Sequence, residues 1–188
     1  MTKTLTILAL ALAAGAAHAE TATYAVDPTH TFVTFESKHF GTSTLRGRFD
    51  KKEGKVSFDK AAKTGKAELT IDMSSVSTGV GPLDGHLKGK DFFSAAEFPT
   101  ATFVGDKFSF DGDKVKSVAG TLTMRGKTQP VTLTATNFNC YQNPMLKREV
   151  CGGDFETTIK RSQWDVSYGL PGIPDDTRLL IQVEAVKQ

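Results

Sequence analysis

The stretch G79-V-G-P-L-D-G-H-L-K-G-K-D-F-F-S-A-A-E-F-P-T-A-T-F103 departs from the pattern of the rest of the chain. Elsewhere apolar residues alternate with Thr, Lys or Asp, the period of two that marks strands. Here Leu83, Leu87, Phe92 and Phe93 fall at mixed helical spacings between Pro82 and Pro99. A helix this short does not persist alone in water, so its phenylalanines must be buried against a sheet or over the mouth of a barrel. The stretch therefore predicts a lid or plug, the one helical insert of a β protein.

Working outward, Thr23 to Val26 predicts a short first strand and Asp27-Pro28-Thr29-His30 a turn, with Asp27 as its cap. Val33, Phe35, Ser37 and His39 then define one face of a long strand that pairs, across Gly41, with Leu45, Gly47 and Phe49. Beyond the insert, Thr102 to Phe110, Val115 to Arg125 and Val131 to Phe138 form a meander. There Leu122, Met124, Val131 and Leu133 stand opposite a threonine-rich face. The last strands run from Phe155 to Arg161 and from Leu179 to Val186. About eight antiparallel strands with no second helical layer predict an all-β, closed eight-stranded barrel able to hold one ligand, with an open β-sandwich as runner-up. The threonine-rich faces argue against an outer-membrane barrel, which turns an apolar band outward.

The N-terminus has Lys3, an apolar run and Ala17-His18-Ala19, the small-x-small site of a cleaved secretory signal. Cleavage after Ala19 leaves residues 20–188 as a single exported domain, with no cysteine at the cut for a lipid anchor. A membrane-spanning helix needs ~20 apolar residues with flanking anchors, so a spanning chain is not predicted. Lys+Arg 23 against Asp+Glu 21, with signs interspersed, leaves no footprint for nucleic acid. Cys140 and Cys151, both in an exported chain, predict a disulfide closing a turn-rich loop at the barrel rim, a constraint contributing roughly 3 kcal/mol by loop-closure entropy.

Signatures of chemistry are sparse. Gly126-Lys127-Thr128 resembles the end of a phosphate-binding loop, but Thr121 stands where that loop needs glycine. G-x-S-x-G, H-E-x-x-H, C-x-x-C and C-x-x-C-H do not occur. His30, His39 and His86 are scattered, so neither a metal site nor a cofactor is predicted. Asp84 and His86, flanking Gly85, are the one candidate acid/base pair for a lipid hydrolase or isomerase. Capping of the short helix is the competing role.

Six blocks carry a resemblance: D27-P-T-H-T-F-V-T-F-E-S-K-H39, L45-R-G-R-F49, D84-G-H-L-K-G-K-D-F-F93, F98-P-T-A-T-F103, G120-T-L-T-M-R-G-K-T-Q-P-V-T-L133 and I159-K-R-S-Q-W164. In order and over nearly the whole mature chain, they resemble the YceI-like family of lipid-binding proteins. The resemblance implies a lipocalin-like antiparallel barrel with an added helix. It further implies a periplasmic binding protein, not an enzyme, that holds a polyisoprenoid or isoprenoid quinone-like lipid for transport, storage or sequestration. Family members usually show Arg-Asp-x-His-Leu in the insert, where this chain has Leu83 in place of the arginine.

Ligand-binding positions carried over from the family are Val33, Phe35 and Phe49, with Leu87, Phe92 and Phe93 in the insert and Leu122, Leu133 and Ile159 in later strands. Strand phase extends the inward set to Leu69, Ile71, Met124 and Val131, and to Phe155, Leu179, Ile181 and Val183 near the C-terminus. A third reading is a stress or interaction protein whose barrel is filled by its phenylalanines. Whether the protein is a monomer or a homodimer is left open by the sequence.

Overall fold

A computed structural model describes residues 21–188, so the expected signal peptide lies outside the described residues. The first half of the chain folds as β1 (Ala22–Val26), β2 (Phe32–His39), β3 (Ser43–Phe49), β4 (Lys52–Asp59), β5 (Thr64–Asp72) and the two-residue β6 (Val76–Ser77). The helix α1 (Gly81–Lys88) follows. Five long strands complete the chain: β7 (Thr100–Asp111), β8 (Lys114–Met124), β9 (Lys127–Asn143), β10 (Arg148–Lys160) and β11 (Asp176–Lys187).

Antiparallel pairing runs β1-β4-β5-β7-β8-β9-β10-β11 and closes where β11 returns to β1, giving the eight-stranded barrel that the alternation predicts. The three additional segments arise because three barrel positions are broken in two. Along β11, Val186 pairs with Ala25 of β1 and Ile181 with Val33 of β2, so β2 continues the line of β1 past a turn. That turn is built by Asp27, whose carboxylate accepts from the Thr29 backbone N–H at 2.8 Å. β3 and β4 form a second broken position, parted by Asp50 and Lys51, and β5 and β6 a third, parted by a single 3-10 turn at Met73–Ser75. Asp72 caps that turn, accepting from the Ser74 N–H at 2.8 Å.

The β8–β9 connection is a two-residue hairpin turn of the primed kind, with Arg125 and Gly126 both at positive φ (49° and 71°). Gly126-Lys127-Thr128 is therefore hairpin chemistry and begins no helix. Along β8 and β9, Leu122, Met124 and Val131 are buried while Thr121 and Thr132 are exposed, as the period of two requires.

The cysteines occupy a different setting from the expected rim loop. β9 and β10 run on as a long hairpin, Cys140 and Cys151 face each other in register on adjacent strands, and their disulfide is formed. Cys151 is buried with Tyr24, Phe58 and Ala185 in a second cluster at the lower end of the barrel, where the Tyr24 and Phe58 rings stack at 4.8 Å.

The insert is also less helical than its spacing implies. α1 spans only Gly81–Lys88, started by Pro82 in its first turn, and Phe92 and Phe93 lie beyond it in turns closed by Phe93 N–H to the Leu87 carbonyl at 3.0 Å and Ala95 N–H to Lys88 at 2.9 Å.

Candidate functional site: an apolar cavity under the insert

The upper half of the barrel encloses a cavity of about 780 Å³. Its walls are the inward faces of β2, β3, β5, β7, β8, β10 and β11, and the insert closes it from above. The two phenylalanines of the insert divide the work. Phe93 points inward, with its ring 5.5 Å from that of Phe49 and 6.3 Å from that of Phe35. Phe92 stays at the lip, its ring 5.0 Å from His86 and 5.4 Å from Tyr168. Tyr168 belongs to the loop between β10 and β11, which Trp164 anchors: wholly buried, it donates from Nε1 to the Leu122 carbonyl at 3.1 Å. Phe40, on the β2–β3 turn, and Tyr168 line the cavity yet are 64% and 50% exposed, marking where it reaches the surface.

The floor shows why the cavity does not run the length of the barrel. Below it lies a second void of about 90 Å³ lined by Leu69, Phe103, Leu133, Phe155, Ile181 and Val183, among others. These bulky side chains, one layer down their strands from Ile71, Ala101 and Leu179, form the partition. Counting about 30 Å³ for each water-sized group, the upper cavity has room for on the order of two dozen carbons.

Of the expected ligand positions, Val33, Phe35, Phe49 and Ile71 line the upper cavity together with Leu87, Phe92 and Phe93, and so do Leu122, Met124, Ile159 and Leu179. Leu69, Leu133, Phe155, Ile181 and Val183 line only the lower void. Val131 is buried in the core and lines neither. Sequence reasoning missed the lip and the loop before β11: Phe40, Leu83, Tyr168 and Ile173 line the cavity, as does the buried Arg161.

Asp84 and His86 do not form an acid/base pair. Asp84 accepts from the Thr78 hydroxyl at 2.6 Å and from the Thr78 N–H at 2.7 Å, which holds its carboxyl below the ordinary value and fastens the start of the insert. His86 instead sets its ring edge-on between Phe92 and Tyr168. Near the disulfide, Glu149 lies within 4.8 Å of both sulfurs, but these are bonded to one another, and the carboxylate serves the Tyr24 hydroxyl at 2.5 Å and Lys60 at 3.1 Å.

A closed eight-stranded barrel with an apolar interior and a capping insert defines the lipocalin-like class of ligand-holding barrels. Within that class the match is specific: residues 24–185 fit the YceI-like domain, and the chain belongs to the YceI-like family. It is 35% identical over 187 residues to Protein YceI of Escherichia coli O157:H7, covering 98% of this chain and 96% of that one. Among solved structures, BcnA of Burkholderia cenocepacia is similar with a TM-score of 0.71 and 30% identity, over 85% of this chain and 99% of that chain. A polyisoprenoid binding domain from Saccharophagus degradans shares the fold at a TM-score of 0.63 and 18% identity, over 88% and 98% of the two chains.

Proposed function

We propose that this protein is a periplasmic carrier that holds one long-chain isoprenoid or related lipid in its upper cavity, without chemistry of its own. The observation that carries the reading is the cavity itself: about 780 Å³, walled mostly by aliphatic and phenylalanine side chains, in a barrel that a filled-core protein would not leave open. Burying one methylene is worth about 0.8 kcal/mol, so a chain of two dozen carbons has more gross driving force than tight binding needs, even after ordering and association costs. That the Saccharophagus relative is a polyisoprenoid binding domain supports the ligand class. The periplasmic location rests on the signal-like N-terminus, and the absence of turnover on the engagement of Asp84 by Thr78.

Organic extraction of protein purified from its native compartment, followed by mass spectrometry, should yield one long-chain lipid per barrel. Leu122→Arg sets a charge on the cavity wall and should abolish binding, while the outward Thr132→Arg should bind as wild type. A barrel that carries no lipid and takes up no added isoprenoid would refute the proposal.

A further inference from the structure

The large apolar side chains that stay exposed are not scattered. Among the described residues, Phe40, Val80, Tyr168 and Leu170 stand at the upper end of the barrel, 64%, 52%, 50% and 39% exposed. Tyr141, Met145 and Leu146 mark the far tip of the β9–β10 hairpin, at the opposite end, and Val104 lies alone on β7. Contacts join the first four into one rim. The Phe40 N–H donates to the Gly172 carbonyl at 3.1 Å, and a Cβ on Gly172 would collide with the Phe40 ring, so the β2–β3 turn lies against the loop that carries Leu170. The same loop reaches the insert through the Tyr168 ring, 5.2 Å from that of His86, and Val80 sits where α1 begins.

Two of these residues hold positions that favour a different side chain. Phe40 and Gly41 are the central pair of a turn closed by the Thr42 N–H to the His39 carbonyl at 3.0 Å, both at positive φ (49° and 70°). Asn, Asp or Gly ordinarily takes the first of those places, and a bulky aromatic there is strained. Val80 is the N-cap of α1, where Ser, Thr, Asp or Asn would accept from a first-turn N–H, and it makes no such bond. Turn and helix thus give up local stability while presenting apolar surface. Neither Val80 nor Leu170 lines the cavity, so contact with the guest does not account for them.

What covers this rim follows from what lies inside it. Phe40 and Tyr168 line the cavity and are exposed at once, so rim and chamber are continuous. A long hydrocarbon chain gains its binding energy by leaving water, and each methylene returned to water during transfer adds to the barrier. An apolar medium against the rim removes that barrier. The rim also has the residue types of a bilayer interface: aromatic rings flanked by lysines whose stems lie along apolar surface while their ammonium groups meet lipid phosphates. Lys38, which donates to the Thr44 hydroxyl at 2.8 Å, and Lys90 are both exposed at this end and make no ion pair among the described residues. We infer that the rim is a membrane-docking face: Phe40, Val80, Tyr168 and Leu170 enter the bilayer interface with the lip down, and the guest passes between bilayer and chamber without crossing water. This rests on the lipid-carrier reading and adds the surface through which the carrier is loaded and emptied.

Protein loaded with geranylgeraniol is mixed with vesicles of phosphatidylethanolamine and phosphatidylglycerol in equal parts, and transfer is followed as the vesicle concentration rises. Transfer on contact gives a rate that climbs with vesicle concentration, whereas release through water gives a constant one. Wild type should show the climb. Val80→Ser with Leu170→Ser should lower it about 10-fold, the scale of losing two apolar anchors from an interface. Its affinity for geranylgeraniol without vesicles should stay within a few-fold of wild type, and serine, a good N-cap, keeps α1 in place. Met145→Ser with Leu146→Ser, at the opposite end, should transfer as wild type. A constant rate in wild type, an undiminished climb in the rim variant, or a loss confined to the hairpin variant overturns the docking face and leaves the carrier intact. So does a wild-type dimer in sedimentation that the rim variant dissociates, which would make a second copy the cover. A barrel that takes up no geranylgeraniol overturns both.

Discussion

His30 stands three residues after Asp27, and the two side chains meet at 2.7 Å on the turn that breaks the first barrel strand. Burial alone would raise the Asp27 carboxyl, but hydrogen bonds from His30, from the Thr29 hydroxyl and from the Thr29 N–H outweigh it and bring the pKa down to about 2. The same contact raises His30 above its ordinary 6.5. The signs differ. Asp27's contribution to stability is present above the ordinary carboxylate range and is lost as pH falls toward 2, whereas His30's is present below 6.5 and is lost as pH rises through its elevated folded value. An NMR titration should find the His30 midpoint above 6.5, and Asp27→Asn should return it toward that value; an unmoved midpoint in the variant would show the contact to be inconsequential. This turn was legible in Asp27-Pro28-Thr29-His30 because an Asx turn is local chemistry. Arg161 was not legible. An arginine closing a strand reads as a solvated end, and only the return of Val166, Ile173 and Pro174 to its guanidinium buries it.

Among the elements, strand phase was the most readable property. The alternation of Leu122 and Met124 on β8 against exposed threonines needs only the pleat, and it places both on the cavity wall. The hairpin of β9 and β10 reads as a loop for a physical reason. Asn143-Pro144 and Gly152-Gly153 are turn-type pairs, yet both glycines lie within a long strand where neighbouring backbones leave no room for a side chain. A Cβ on Gly152 would collide with the Val183 carbonyl, and one on Gly153 with that of Asn137. The disulfide consequently staples two strands far below the cavity. Cys140→Ser should remove roughly 3 kcal/mol, which for a domain of this size is a fall in Tm of about 10 °C. Lipid affinity should stay within a few-fold of wild type, measured on the same preparation at 25 °C. A large drop in binding would mean that the two ends of the barrel are mechanically coupled.

For the molecule as a whole, the partition between the two voids sets the depth available to a guest. Phe155 contributes to that partition from below, 7% exposed, and lines only the 90 Å³ void. Phe155→Ala should join the voids and move the preferred ligand to a longer chain, read by competing twenty-, thirty- and forty-carbon isoprenoids for delipidated protein. The variant should also lose about 3–5 kcal/mol of stability when empty, the usual cost of a phenylalanine deleted from a core. An unchanged length preference in a folded variant would show that the floor lies elsewhere. The depth itself was not written in the sequence, since it depends on which inward side chains of eight different strands fall in the same layer. Phe40 and Tyr168, exposed at the lip, mark where the chamber reaches the surface, and a guest lodged under the insert occupies the volume it offers. A guest must back out before its successor can come in, so replacing one lipid by another is a queue: however much competitor is supplied, turnover of the occupant can run no faster than its own departure.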